Sequence, residues 1–252
     1  MGNMLKPSAR DAFDLNMADA EMLVELGKLL RNRRSRRMRV ERRERIGHAL
    51  GIGQRRWKDL ECLENEAIFM TLKPGHGNWR TRLDEAGLRP LLRQALVAAC
   101  AAVETFCADR VMERYGAAIK APSPCLLELR MTLGDYSYIT DNFKRPGWGL
   151  RQIVELEVRK RASPAPSQIG ELFGLIGEKD LMGRVDTLRK VEKGSSTETL
   201  ERIVTRRNLI AHTGDRKGRG RAAITIPEVE ADISYIISIV DALDAVTRPS
   251  VA

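Results

Sequence analysis

Apolar positions recur at helical spacing along most of the chain. Phe13, Met17, Ala20, Leu23 and Val24, followed by Leu26 to Leu30, fall near a 3.6-residue period and predict a helix from about Ser8 to Leu30. Leu92, Ala95, Ala99, Val103 and Phe106 alternate spacings of three and four within a long helix expected over Leu88 to Ile119. Cys100 and Cys107, seven apart, suit one buried face of it. Near the end, Val229, Ile233, Ile236, Val240 and Leu243 repeat at four, three, four, three, the seam of a bundle helix. Thr225 and Glu228 have capping-box spacing at its start.

The intervening punctuation divides the rest. Gly47 to Gly53 ends a second helix, and Trp57 to Leu72 reads as a third helix or a short strand. Lys73 to Asn78 is the clearest loop and suggests a boundary. Ser123-Pro124 has the form of an N-cap with a first-turn proline. Arg145-Pro146-Gly147 breaks the chain before a helix over Gly149 to Arg161. Ser163 to Ser167 is a connector, and two helices divided at Gly177 fit between Gln168 and Lys193. Ser195 or Ser196 then caps a helix from Thr197 to His212, stopped by Thr213-Gly214. The expectation is an all-α protein: a basic helical region at 1–85 and a helical bundle domain at 86–252.

Composition narrows the reading. Aromatic residues are only 5% of the 252, which disfavours a β-sandwich or barrel, whereas 43% hydrophobic residues can build a core. The net charge of +9 points to an acidic partner, most simply nucleic acid. Arg31 to Arg45 alone contributes +7, with nine arginines against Glu41 and Glu44, but lacks interleaved aromatic residues for base stacking. Cys62, Cys100, Cys107 and Cys125 form no C-x-x-C pair and no zinc-spaced cluster, so reduced thiols and no metal or other cofactor are expected. Met1 to Asp11 contains no apolar stretch of signal-peptide length, and the longest apolar run, Ala95 to Val103, is about half a bilayer span. A cytoplasmic protein without membrane contact is expected.

The chemistry concentrates in Arg206-Arg207-Asn208-Leu209-Ile210-Ala211-His212-Thr213-Gly214. On a helix, Asn208 and His212 share a face, beside the apolar stripe of Leu200, Ile203 and Ile210. Arg207 is about 140° from His212, within reach of its long side chain. Such a groove would hold an imidazole for proton transfer, a guanidinium for phosphate charge and an amide to orient either. His48 and His76 lack a carboxylate or Cys/His partner at useful spacing and read as surface residues.

Arg207-Asn208-x-x-x-His212 resembles the R-N-x-x-x-H motif of the HEPN superfamily, the higher eukaryotes and prokaryotes nucleotide-binding domains. The helix from Leu91 to Tyr115, with Ala101-Ala102-Val103-Glu104-Thr105-Phe106, is similar to the first HEPN helix, and the resemblance covers about residues 86–247. It implies a HEPN-like bundle and a metal-independent endoribonuclease in which the RNA 2′-hydroxyl attacks the adjacent phosphodiester. The products would be a 2′,3′-cyclic phosphate and a 5′-hydroxyl. On this reading His212 is the general acid or base, Arg207 binds the scissile phosphate, and Asn208 positions His212 or the phosphate. Glu104 is the candidate polar residue of the first helix, with Asp109 next. The resemblance also implies a homodimer with facing motif helices, a neutralising or activating protein partner, and a toxin–antitoxin or antiviral defence setting.

Arg206 to Arg221 holds six basic residues against Asp215, a local +5 beside the motif, and Arg206, Arg216, Lys217, Arg219 and Arg221 are candidate RNA contacts. Two alternatives stand beside the nuclease. One is a non-catalytic HEPN module that binds partners or acts as an antitoxin. The other is a DNA-binding regulator, because Arg42 to Leu63 loosely resembles a helix-turn-helix with its turn at Gly51 to Gly53.

Overall fold

The structure is a computed structural model that describes residues 7–31, 39–62, 69–71, 85–143 and 145–248. The expected loop at 73–78, His76 within it, and residues 32–38 of the arginine run lie outside the described residues. The chain is helical with two short antiparallel hairpins among the described residues. Helix α1 spans Ala9–Arg31 and α2 spans Val40–Ala49. A 3-10 helix, Gln54–Asp59, runs into β1, Leu60–Cys62, which pairs with β2, Phe69–Thr71. Then come α3 (Glu85–Ala118), α4 (Pro124–Leu127), α5 (Leu133–Asn142) and α6 (Pro146–Arg161). The chain continues with α7 (Pro166–Gly174), α8 (Leu181–Arg189) and α9 (Ser195–Thr213). A two-residue hairpin, β3 (Arg216–Lys217) and β4 (Gly220–Arg221), precedes α10 (Ile226–Thr247).

Helix α3 is the axis of the bundle. Leu92, Leu96, Ala99, Cys100, Val103, Phe106 and Cys107 are all buried, so the helix is apolar around most of its girth, as a central helix must be. By length and composition it could cross a membrane, but its apolar residues are buried among the other helices of the fold. The α10 seam packs against α3, with Val229, Ile233, Ile236, Val240 and Leu243 all buried. Arg110 of α3 and Asp244 of α10 form a buried ion pair between the two helices.

Helix α1, expected as part of a separate N-terminal region, lies along α3 and shares its core. Phe13 meets Phe106 edge to face, with ring centroids 6.0 Å apart, a geometry aromatic quadrupoles favour. Glu113 of α3 accepts the Ala9 amide at 2.5 Å, satisfying a donor at the start of α1.

Several boundaries differ from the sequence reading for local reasons. Within Trp57 to Leu72, the described residues form the end of the 3-10 helix and two short strands, the strand alternative rather than a third helix. The Trp57 ring covers Gly47 so closely that a Cβ there would stand 2.4 Å from it, and the indole donates to the Ile52 carbonyl at 2.7 Å. Leu60 packs there with Ile46 and Ile52 in a small cluster of its own. A helix-turn-helix needs a second full helix after Gly51 to Gly53, and a six-residue 3-10 helix stands in that place. The proline of Arg145-Pro146-Gly147 opens α6 rather than merely breaking the chain, because a first-turn residue needs no amide hydrogen. The Ser123 cap opens only one turn, and Thr132 with Asp135 caps a new helix, α5.

Candidate active site

Helix α9 carries the motif, and its ends are fixed by different means. At its start, Ser195 and Ser196 do not act as side-chain caps; the N-cap is Gly194. The carboxylate of Asp186, on α8, accepts from the Gly194 amide at 2.7 Å and the Ser196 amide at 3.0 Å. Burial works against that carboxylate's charge. Hydrogen bonds from Ser196 and Gly194 and the nearby Arg189 outweigh burial and hold Asp186 below the ordinary aspartate range. At its end, Gly214 takes the left-handed conformation at φ 62°, and the Asp215 amide reaches back to the Leu209 carbonyl at 3.0 Å, a Schellman closure.

Between these ends, Leu200, Ile203, Val204 and Ile210 are buried and set the rotation of the helix. Asn208 and His212, one turn apart, then lie on the exposed side, and Arg207 is half-buried at its edge. The Arg207 guanidinium spans two partners. Its Nη2 lies 3.1 Å from Glu104 Oε2 on α3, and its Nη1 donates to Asn208 Oδ1 at 3.0 Å. The structure thus gathers Glu104, Arg207 and Asn208 into one connected set, with His212 a turn beyond Asn208. Asp109, the other candidate on α3, instead pairs with Arg159 of α6 at 2.9 Å.

Cys100 lies one turn before Glu104. Burial pushes its thiol up to about 12, against the pull of Arg207's charge, so it stays protonated and adds no thiolate to the site. Cys100 and Cys107 are buried free thiols, and Cys125 is an exposed one. Among the described residues no three His, Cys, Asp or Glu side chains gather as metal ligands.

The basic residues after the motif divide into two groups. Arg216, Lys217, Arg219 and Arg221 stand exposed on the β3–β4 hairpin, with Gly218 in its turn. Arg206 faces elsewhere: its Nη2 binds Asp215 Oδ2 at 2.8 Å and the Ala223 carbonyl at 2.8 Å. Arg93 of α3 was not expected here. Its Nε binds the same Asp215 oxygen at 3.0 Å, and its Nη2 binds the Ala222 carbonyl at 2.7 Å. Asp215 itself is buried and left-handed at φ 63°. Two arginines on one carboxylate therefore fasten both feet of the hairpin to α3 and α9, next to His212. The sequence carried one signal of this, a charged Arg93 beside Leu92 in the most apolar helix.

Residues 79–247 match the RiboL-PSP-HEPN family. The chain belongs to this HEPN family. No curated protein and no solved structure matches it. The family match covers α3 to α10, while α1 precedes the match and still packs into its core. HEPN families are generally nucleases, with non-catalytic members among them.

Proposed function

We propose that this HEPN protein is a metal-independent endoribonuclease. The observation that carries the reading is the exposed side of α9 holding Asn208 and His212, with half-buried Arg207 at its edge braced by Glu104. The reaction asks for proton transfer and for neutralisation of phosphate charge, and these residues supply both. The substrate brings its own nucleophile. The 2′-oxygen attacks phosphorus, the bond from phosphorus to the 5′-oxygen breaks, and the products are a 2′,3′-cyclic phosphate and a 5′-hydroxyl. The 2′-hydroxyl proton passes to a base and the leaving 5′-oxygen receives one from an acid. An imidazole serves either step, and two His212 side chains facing across a two-fold dimer would serve both.

Arg207 takes the scissile phosphate. Glu104 and Asn208 hold its guanidinium in advance, so less side-chain freedom is lost on binding. Arg216, Lys217, Arg219 and Arg221 track the flanking phosphates. Arg206 serves the fold through Asp215 rather than the RNA.

The test is incubation of the purified chain with a total RNA pool in EDTA, followed by end-group analysis. Cleavage that leaves cyclic phosphate and 5′-hydroxyl ends supports the reading. Cleavage that stops in EDTA and returns with magnesium, or that leaves 3′-hydroxyl ends, overturns it. Absence of cleavage under all conditions would favour the partner-binding HEPN module.

A further inference from the structure

Next to the motif, on the same helix, lies a groove that the reaction itself does not use. It has a volume of about 510 Å³, within the roughly 300–1,000 Å³ of small-ligand sites. Leu96 of α3, Ile224 and Val229 lie almost wholly buried beneath it, Leu209 and Ala223 contribute exposed apolar surface, and Arg202 and Asp232 contribute a polar pair. Thr205 and Leu209 of α9 form the wall on the motif side. Leu209 stands about 60° around the helix and about 5 Å along it from His212. A nucleotide whose phosphate sits at Arg207 and His212 therefore has this groove beside it.

The lining selects the part of the nucleotide. Its four charged residues, Arg202, Arg206, Glu228 and Asp232, cancel in formal charge, unlike the basic hairpin, so a phosphate gains little there. An apolar surface with a few placed polar groups suits a base instead. All four charges already have a partner. Arg206 holds Asp215, and Glu228 caps α10 through Thr225. Arg202 Nη2 donates to Asp232 Oδ1 at 2.5 Å. Among the described residues Asp232 Oδ2 takes no further hydrogen bond, although the side chain is only 12% exposed. A carboxylate oxygen with spare acceptor capacity in the groove's lining matches an exocyclic amino group.

We propose that this groove is a base-recognition subsite flanking the scissile phosphate, with Asp232 as its specificity-determining residue for amino-bearing bases. It rests on the ribonuclease reading for its place in the reaction. Adenine, cytosine and guanine each offer an amino donor, whereas uracil presents carbonyl oxygens on those edges. Arg202 is a positioning residue that holds the carboxylate at the groove's edge.

The experiment titrates the full chain with the four ribonucleoside 5′-monophosphates while following the methyl NMR signals of Ile224 and Val229. AMP, CMP and GMP are expected to shift these signals, with UMP about tenfold weaker. Asp232→Asn should reduce that difference at least about fivefold while the methyl spectrum shows an intact core. Ala231→Phe, which fills the groove from an exposed helix position, should block all four. The proposal is overturned if no nucleotide moves these methyls at millimolar concentration, or if a folded Asp232→Asn chain keeps the same preference. If Asp232→Asn does not fold, undiminished binding to Ala231→Phe overturns it as well. Because the readout needs no cleavage, binding at the groove by a chain that cuts no RNA would sink the ribonuclease reading alone. Cleavage by a chain whose methyls stay silent would sink only the groove.

Discussion

At the scale of single residues, the partners a side chain takes separate the proposed chemistry from service to the fold. His212 is exposed at a helix end, so His212→Ala should abolish RNA cleavage with the thermal unfolding midpoint unchanged. Arg207→Ala should lose on the order of a hundredfold or more in rate, because transition-state phosphate charge goes unneutralised. Glu104→Gln keeps the shape but weakens the brace and should cost less. Single-turnover rates on one oligoribonucleotide rank the three, and near-normal rates in both His212→Ala and Arg207→Ala would end the assignment. Asp215 belongs to the opposite class. It and Arg93 are 2% and 5% exposed in their side chains, and its removal leaves two arginines without their shared carboxylate. Asp215→Ala should destabilise the chain by about 3–5 kcal/mol in urea unfolding, as expected when one partner of a buried ion pair is lost.

Helices depend on their ends, and α9 depends on a residue of another helix. Asp186 satisfies the Gly194 and Ser196 amides, the work that an N-cap side chain does for about 0.5–2 kcal/mol. Its carboxyl is held below the usual range in the folded chain. The folded state therefore binds that proton less readily than the unfolded chain does. The stabilisation is fully present above about pH 4, near the unfolded aspartate value, and is lost as pH falls through the lower folded value. Amide hydrogen exchange should show the first turn of α9 opening in acid before α10. Asp186→Asn should open the same turn at neutral pH and remove most of that acid dependence. An unchanged exchange pattern at Gly194 and Ser196 in the variant would refute the cap.

For the whole molecule, the question is what completes the bundle and what completes the site. The α1 face of Phe13, Met17, Ala20 and Val24 is buried against α3, so α1 is a structural part of the fold that begins before the family match. Phe13→Ala should cost about 3–5 kcal/mol, measured by chemical unfolding; a loss below 1 kcal/mol would mean that α1 is not docked in solution. On the proposed dimeric reading, completion of the site is a matter of assembly, because one chain offers a single motif helix and a shared cleft would need two. Specific activity should therefore fall on dilution through the dimer dissociation range seen by light scattering. A monomer fully active at nanomolar concentration would contradict the shared cleft.

What the sequence alone determined was local. The helical periods of α1, α3 and α10, the capping box at Thr225, the stop at Gly214 and the spacing of Arg207, Asn208 and His212 each depend on residues within a few positions of one another. Such features follow from backbone geometry, whatever the helix packs against. The tertiary structure decided which partner each charged group takes. Glu104 and Arg207 are 103 residues apart, and Arg93 and Asp215 are 122 apart. Helical periodicity says which face is buried. It does not say how far one helix slides or turns against the next, and a shift of one turn would present a different residue to Arg207 or Asp215. That is why Arg206 reads as an RNA contact in the sequence and is bound to Asp215 in the fold. It is also why Ser195 and Ser196 look like caps when Asp186, on the neighbouring helix, holds the amides.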